Sequence, residues 1–256
     1  MLEASVRLNF FAGIVLLLAT SFFSAHAIAQ GGPPMITDDT GTVPKGHWEI
    51  NTAFVVERTA DGRTFGTPLL DVNYGLSKNM QLKVEIPWIV QHKNGRRGIN
   101  GLGNTNIGFR WRFRDENEHH RVAISMYPQF EFNNPTSSVR RGLVDKGPEF
   151  LMPIQWETKV GKFGINGDVG YRFKRGPDEL MYGVVVGREL NDRLELLGEI
   201  HGTGSRSHLV DSEVVYNFGT RVTLTSHLTL LMSAGASITA NRDPRFIAYA
   251  GIQTTF

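Results

Sequence analysis

Eleven-residue stretches of strict alternation recur along this chain, and in each of them the charged residues keep to one side. From Asn104 to Arg114, Thr105, Ile107, Phe109, Trp111 and Phe113 share one parity while Asn106, Arg110, Arg112 and Arg114 share the other. Period two means an extended strand with one apolar and one polar face. The pattern returns in Gly164–Lys174, where Ile165, Val169, Tyr171 and Phe173 oppose Asn166, Asp168, Arg172 and Lys174, and again in Leu228–Ile238. Glu49, Asp71, Lys83, Glu85, Glu157, Glu195, Glu199, Glu213 and Arg221 all obey the same segregation. A β-sandwich also alternates, so further features are needed to choose the solvent on the apolar side.

Three features choose lipid. Strand-like segments fall at about 12 places (47–57, 66–76, 80–90, 104–114, 120–132, 149–159, 164–174, 179–189, 193–203, 210–224, 228–240 and 245–256), each able to supply the roughly 9–11 residues of a tilted membrane strand. Tight connections such as Ser77 to Asn79 and Leu190 to Asp192 alternate with longer ones at Arg58 to Phe65, Gln91 to Gly103 and Asn133 to Pro148. Aromatic residues on the apolar parity, among them Trp48, Tyr74, Trp88, Trp111 and Tyr216, sit mostly near strand ends, where headgroups would meet them. The expected fold is therefore all-β: a transmembrane antiparallel up-and-down barrel of about 12 strands.

Both ends of the chain agree with that address. The last strand, Arg245 to Phe256, is amphipathic and closes on an aromatic residue, which resembles the C-terminal assembly signal of bacterial outer-membrane barrels. Phe256 is the candidate signal, with the barrel-assembly machinery and outer-membrane lipid as implied partners. To close the barrel without an edge, this strand must pair with the first, near His47 to Glu57. Phe10 to Phe23 is too short an apolar run to span a bilayer, and Ala25-His26-Ala27 or Ala27-Ile28-Ala29 fits a cleavage site. Residues 1–29 read as a secretory signal peptide, 30–46 as a periplasmic N-terminal segment and 47–256 as the outer-membrane barrel.

Composition excludes more than it identifies. The chain has no cysteine, so disulfides and thiolate chemistry are absent. Its 27 basic and 25 acidic residues give a net charge of +2; the leader carries one of each, Arg7 and Glu3, so export leaves the balance unchanged. No nucleic-acid footprint follows from such a balance. Neither a metal nor a cofactor is called for: His119-His120 reads as a solvated turn, and Gly101-x-Gly103 lacks the context of a phosphate loop. Ser125, Ser233, His201, His208 and His227 show no nucleophile–base spacing, so an outer-membrane lipid hydrolase is the weakest reading and no catalytic residue is assigned.

The ordered series Thr37-Asp38-Asp39, His47-Trp48-Glu49, Asp71 to Leu76, Gln81 to Pro87, and Gly101-Leu102-Gly103 leading to Gly108 to Phe113 resembles the MetA-pathway of phenol degradation family over nearly all of the mature chain. The resemblance implies an outer-membrane channel or transporter, linked by family context to aromatic compounds. It carries no site residues across and names no solute.

Function would reside in the lumen. Candidate lining residues are Lys83, Glu85, Arg110, Arg112, Arg114, Arg121, Asp168, Arg172, Glu195 and Glu199, a basic stripe opposed by acids. Two outcomes are open: a conducting lumen for small molecules, its opposed charges orienting polar solutes while hydrophobic or aromatic cargo takes a separate lateral route, or a structural barrel closed by an ionic network, since unpaired buried charge is costly. Pro87, Pro128 and Pro153 lie inside strand segments and mark a candidate lateral opening, because proline removes a ladder donor. Residues 30–46, with Asp38 and Asp39, are either a loose periplasmic tail, the favoured reading, or a plug reaching the basic stripe.

Overall fold

The computed structural model describes residues 32–117, 119, 121–205, 212–239 and 242–256. The expected signal peptide lies outside the described residues. Fourteen strands form one sheet: β1 (Trp48–Arg58), β2 (Gly62–Ser77), β3 (Met80–Lys93), β4 (Ile99–Leu102), β5 (Thr105–Arg114), β6 (Val122–Met126), β7 (Gln129–Phe132), β8 (Glu149–Val160), β9 (Phe163–Phe173), β10 (Glu179–Asn191), β11 (Leu194–Ser205), β12 (Glu213–Thr225), β13 (Leu228–Ser237) and β14 (Phe246–Thr255). Two pairs are single staves with a break. β4 and β5 both pair with β3, and β6 and β7 both pair with β5 and β8. The wall is thus a 12-stave antiparallel barrel.

Closure follows the expected register. β14 runs antiparallel to β1 from Glu49↔Thr255 to Arg58↔Phe246, and Trp48 and Phe256 exchange main-chain hydrogen bonds of 2.8 and 3.1 Å. No strand edge is left at the seam, which hydrocarbon would penalise by several kcal/mol per unpaired group.

Burial is inverted relative to a soluble protein. Gln155, Asn166 and Ser125 are fully buried, while Phe218 is 67% exposed, Ile200 54% and Ile154 51%. Apolar side chains dominate water-facing surfaces only when that surface is not meant for water, so the outward parity is a lipid face. Outward rings also lie over neighbouring glycines: a Cβ on Gly167 would fall 2.8 Å from Trp156, and one on Gly202 2.5 Å from Tyr182.

Two sequence expectations change here. The stretches Arg58 to Phe65 and Gln91 to Gly103 are mostly strand, so β1 to β4 project beyond the apolar band and only Asn133 to Pro148 remains a long connection of those three. The prolines, for their part, sit in a closed wall. The carbonyl of Pro87 accepts from Gly103 N at 2.8 Å, that of Pro128 from Phe109 N at 3.0 Å, and that of Pro153 from Tyr127 N at 3.1 Å. Proline loses its donor but keeps its acceptor. Pro87 faces the β4–β5 break and Pro128 ends the β6–β7 break, so these residues shape irregularities in the wall rather than a gap. A fourth proline, Pro68, takes part in the β2 bulge, where the register shifts between Gly66 and Leu69.

Candidate functional site: an occupied lumen

Residues 32–46 do not trail from the barrel; they cross its interior. The path begins against β12 and β13, where Arg221 donates through Nη2 to Pro33 O at 2.9 Å and Ser233 Oγ donates to Pro34 O at 2.7 Å. Met35 then packs on Val185 and Leu197, a small apolar cluster within the lumen. Ile36 N and Thr37 N both donate to the Glu199 carboxylate, at 3.2 and 2.5 Å, and Asp38 N donates to Asp168 Oδ2 at 3.2 Å. Thr40 Oγ1 donates to Glu157 Oε2 at 2.8 Å, and Val43 N to Gln81 Oε1 at 2.8 Å, before the chain turns into β1.

The logic of the seat is complementarity between main chain and wall. Every residue of an unpaired segment brings a main-chain acceptor, and every residue but Pro33, Pro34 and Pro44 a donor, so the wall must supply partners of both kinds. The N–H groups of Ile36, Thr37 and Asp38 meet carboxylates of β9 and β11 and that of Val43 meets Gln81, while carbonyls and carboxylates of the segment accept from Arg110, Arg221, Ser233 and Asn166. Arg110 is the centre of the second set: it donates to Asp38 Oδ1 at 2.8 Å, Asp39 Oδ1 at 3.2 Å and Gly41 O at 2.7 Å, with its guanidinium 4.3 Å from the Tyr127 ring. Burial raises the Asp39 carboxyl above its ordinary pKa, and the Arg110 charge opposes that rise. Tyr127, at the β6–β7 break, is fully buried.

Of the candidates read from sequence, Arg110, Asp168 and Glu199 hold the segment directly. Lys83 lies in the lumen between Asp71 at 3.6 Å and Glu85 at 3.1 Å. Glu195 pairs with Arg221 at 3.2 Å. Arg172 is placed toward the outer end, bridging Glu149 at 3.0 Å and Glu179 at 3.9 Å. Arg112 pairs with Asp115 at 2.7 Å near the periplasmic turn. Arg114 and Arg121 leave the stripe. A register shift pairs Arg114 with Ile124, whose parity is outward, and Arg121 precedes β6 and is exposed. A bulge adds one residue and reverses the facing of the residues beyond it, which alternation in a single strand does not reveal.

Residues that the candidate set missed include Arg221, Gln81, Asn166 and His201. Their inward parity was legible; their engagement with residues 32–46 was not. Asn166 Nδ2 donates to Asp38 O at 3.1 Å, and His201 Nδ1 faces Thr37 Oγ1 at 3.3 Å. Ser125 donates to Gln155 at 2.6 Å, and His227 faces Thr255 O. Neither Ser125 nor Ser233 contacts a histidine among the described residues. His208 lies outside them.

A cavity of about 570 Å³ remains beside the segment, bounded by Asp38, Lys83, Arg110, Gln253 and, at the periplasmic rim, His227 and Phe256. At the outer end the β7–β8 connection folds inward over β4. Ser138 Oγ donates to Leu102 O and Arg141 Nη1 to Asn100 O, both at 2.7 Å, and a Cβ on inward-facing Gly101 would meet Arg141, Leu143 and Ser138. Toward the outer half, the inward parity carries Val55, Ile89, Met181, Val215 and Ile247 interleaved with Glu57, Thr203, Glu213 and Tyr249.

The stem of the segment gives a direct test. A Cβ on Gly75 would lie 2.0 Å from Pro44 O and 2.4 Å from Val43 O. Main-chain atoms there have no rotamer to yield, so Gly75→Ala is expected to dislodge the stem while β2 keeps its pairing. Limited proteolysis from the periplasmic side should then cut near Lys45 in the variant and spare the parent. Equal protection of both would show that the stem tolerates the methyl group.

Fold and site together define a membrane β-barrel with its lumen occupied by its own N-terminal segment. By sequence, no family model and no curated protein matches the chain. By structure it is similar to the COG4313 outer membrane channel from Pseudomonas putida F1, at 12% identity and a TM-score of 0.65, covering 89% of this chain and 100% of that one. It is also similar to the KdgM porin in complex with disordered oligogalacturonate (11% identity, TM-score 0.56, 81% and 99% covered) and to the NanC porin (9%, 0.55, 81% and 98%). At these identities the likeness establishes the outer-membrane barrel fold.

Proposed function

We propose that this protein is an outer-membrane channel for small, largely apolar solutes, and that residues 32–46 are the element displaced when a solute passes. The carrying observation is the seating of that segment. It is held by hydrogen bonds to polar side chains of the lumen rather than by strand pairing, so it can leave without opening the wall. The resemblance to the MetA-pathway family, together with inward aliphatic residues such as Val55, Ile89 and Met181, supports an apolar or aromatic solute. Export with loss of residues 1–29 and assembly through the Phe256 strand belong to the same reading.

A closed structural barrel is the second reading, favoured by the internal ion pairs Lys83–Asp71, Lys83–Glu85 and Arg221–Glu195. A reversible lock separates the two. The chain has no cysteine, so Thr37→Cys with His201→Cys places a single thiol pair where the side chains now face each other at 3.3 Å. Under oxidation, uptake of a small aromatic probe into proteoliposomes should fall to the level of empty vesicles, and reductant should restore it. Uptake indifferent to the lock removes the displaced-segment reading. Absence of uptake in every state, from correctly folded barrels, favours the closed barrel.

A further inference from the structure

The outward face of this barrel carries a row of basic side chains, two of them arginines with no acidic partner among the described residues. The register sets Arg58 of β1 opposite Arg63 of β2, and Arg63 opposite His92 of β3. All three take the lipid-facing parity, in line with Phe246 across the seam, and all are exposed. Neither Arg58 nor Arg63 forms a side-chain ion pair or hydrogen bond among the described residues. The neighbouring Asp243 is already engaged, accepting from Ala60 N at 2.8 Å and facing Arg245 at 3.9 Å.

Height decides what such a row can meet. β1 has 11 residues from Trp48 to Arg58, and ten rises of about 3.4 Å at a tilt of about 40° put Arg58 roughly 26 Å above the Trp48 girdle. An apolar band is about 25 Å tall, so the cations stand just beyond its outer edge. Directly beneath, one inward-outward repeat lower, runs the matching row Val56, Phe65 and Val90, with the Phe65 ring 5.6 Å from Phe54 and edge-on to His92 at 6.3 Å. Like charges directly opposite across two strands repel, and adjacent strands lie only about 4.8 Å apart. An anion between the guanidiniums turns that repulsion into two charge-assisted contacts, and arginine's fork suits phosphate.

We infer that Arg58, Arg63 and His92 bind a phosphate of an outer-leaflet phosphorylated glycolipid, whose acyl chains pack on the Val56–Phe65–Val90 row. The site faces the bilayer, not the lumen, and its operation is independent of what the channel carries. It fixes this side of the wall, the β1–β3 face next to the closing seam, against a lipid with a large anionic headgroup.

The test uses the full barrel reconstituted in phosphatidylcholine vesicles containing bis-phosphorylated lipid A, then extracted in mild detergent for native mass spectrometry. The parent should retain about one lipid A per barrel, and Arg58→Ala with Arg63→Ala should retain about tenfold less, with unchanged heat-modifiable migration showing that both are folded. Arg188→Ala, which removes an outward-facing arginine lying 5.3 Å from the Phe163 ring at the periplasmic end, should retain as much as the parent. Equal retention by the double variant overturns the proposal. So does equal retention of dephosphorylated lipid A, which would leave only apolar contact, or of phosphatidylglycerol, which would make the row a general anionic-lipid surface.

Discussion

Deleting residues 32–46 is expected to raise the single-channel conductance of the reconstituted barrel about threefold or more. A 12-stave barrel stands between filled 8-stranded barrels and 16-stranded aqueous pores, so its bore depends on what lies inside. Here that content is a segment reaching from Arg221 on one wall to Gln81 on the other. The wall keeps its closing pairs between β1 and β14 without the segment, and the released Glu199, Asp168, Arg110 and Arg221 then face water, which solvates them. Planar-bilayer recording of parent and deletion at matched salt reads the difference directly. Identical step sizes, from barrels with native migration, would mean that the segment does not limit the current.

Arg110→Ala is expected to unseat the segment without removing it. One guanidinium satisfies two carboxylates and a carbonyl there, with side-chain exposures of 8% for Arg110, 20% for Asp38 and 11% for Asp39. Taking away one partner of a buried pair costs about 3–5 kcal/mol. Water in the adjoining cavity offsets part of this, leaving about 3 kcal/mol, or roughly a hundredfold in the ratio of seated to released segment. The readout is the rate at which a membrane-impermeant thiol reagent modifies Met35→Cys, a buried position in a chain otherwise free of cysteine. About a hundredfold acceleration should accompany Arg110→Ala. Arg110→Lys should fall between, because an ammonium supplies the charge but not the fork. Equal rates in all three would assign Arg110 to the wall alone.

Periodicity accounts for the part of the fold that was legible in the sequence. Alternation placed the strands, parity sorted lipid from lumen, and the aromatic last strand foretold the partner of β1. The interior segment was not legible in the same way, since its seat is built from main-chain N–H and C=O groups at Pro33, Pro34, Ile36, Thr37 and Gly41, which carry no residue signature. Asp38, Asp39 and the basic stripe were the one hint, and Arg110 is where it pointed. Irregularities were hidden for a related reason. The bulge that turns Arg114 outward and the breaks beside Pro87 and Pro128 depend on the neighbouring strand, which a single segment does not display.

The inward fold of the β7–β8 connection bears on how the deletion must be interpreted. Ser138 and Arg141 pin it to β4 carbonyls at the outer mouth, while the N-terminal segment lies toward the periplasm. For ions, these are two resistances in series, and the total never drops below the larger one that remains. Conductance after deletion should therefore level off at the value set by the outer constriction, and further shortening of the N-terminus should add nothing. The stretch of lumen between them is obstructed at either end by a different part of the chain. On the proposed function, a solute lying there would leave by whichever obstruction yields more often.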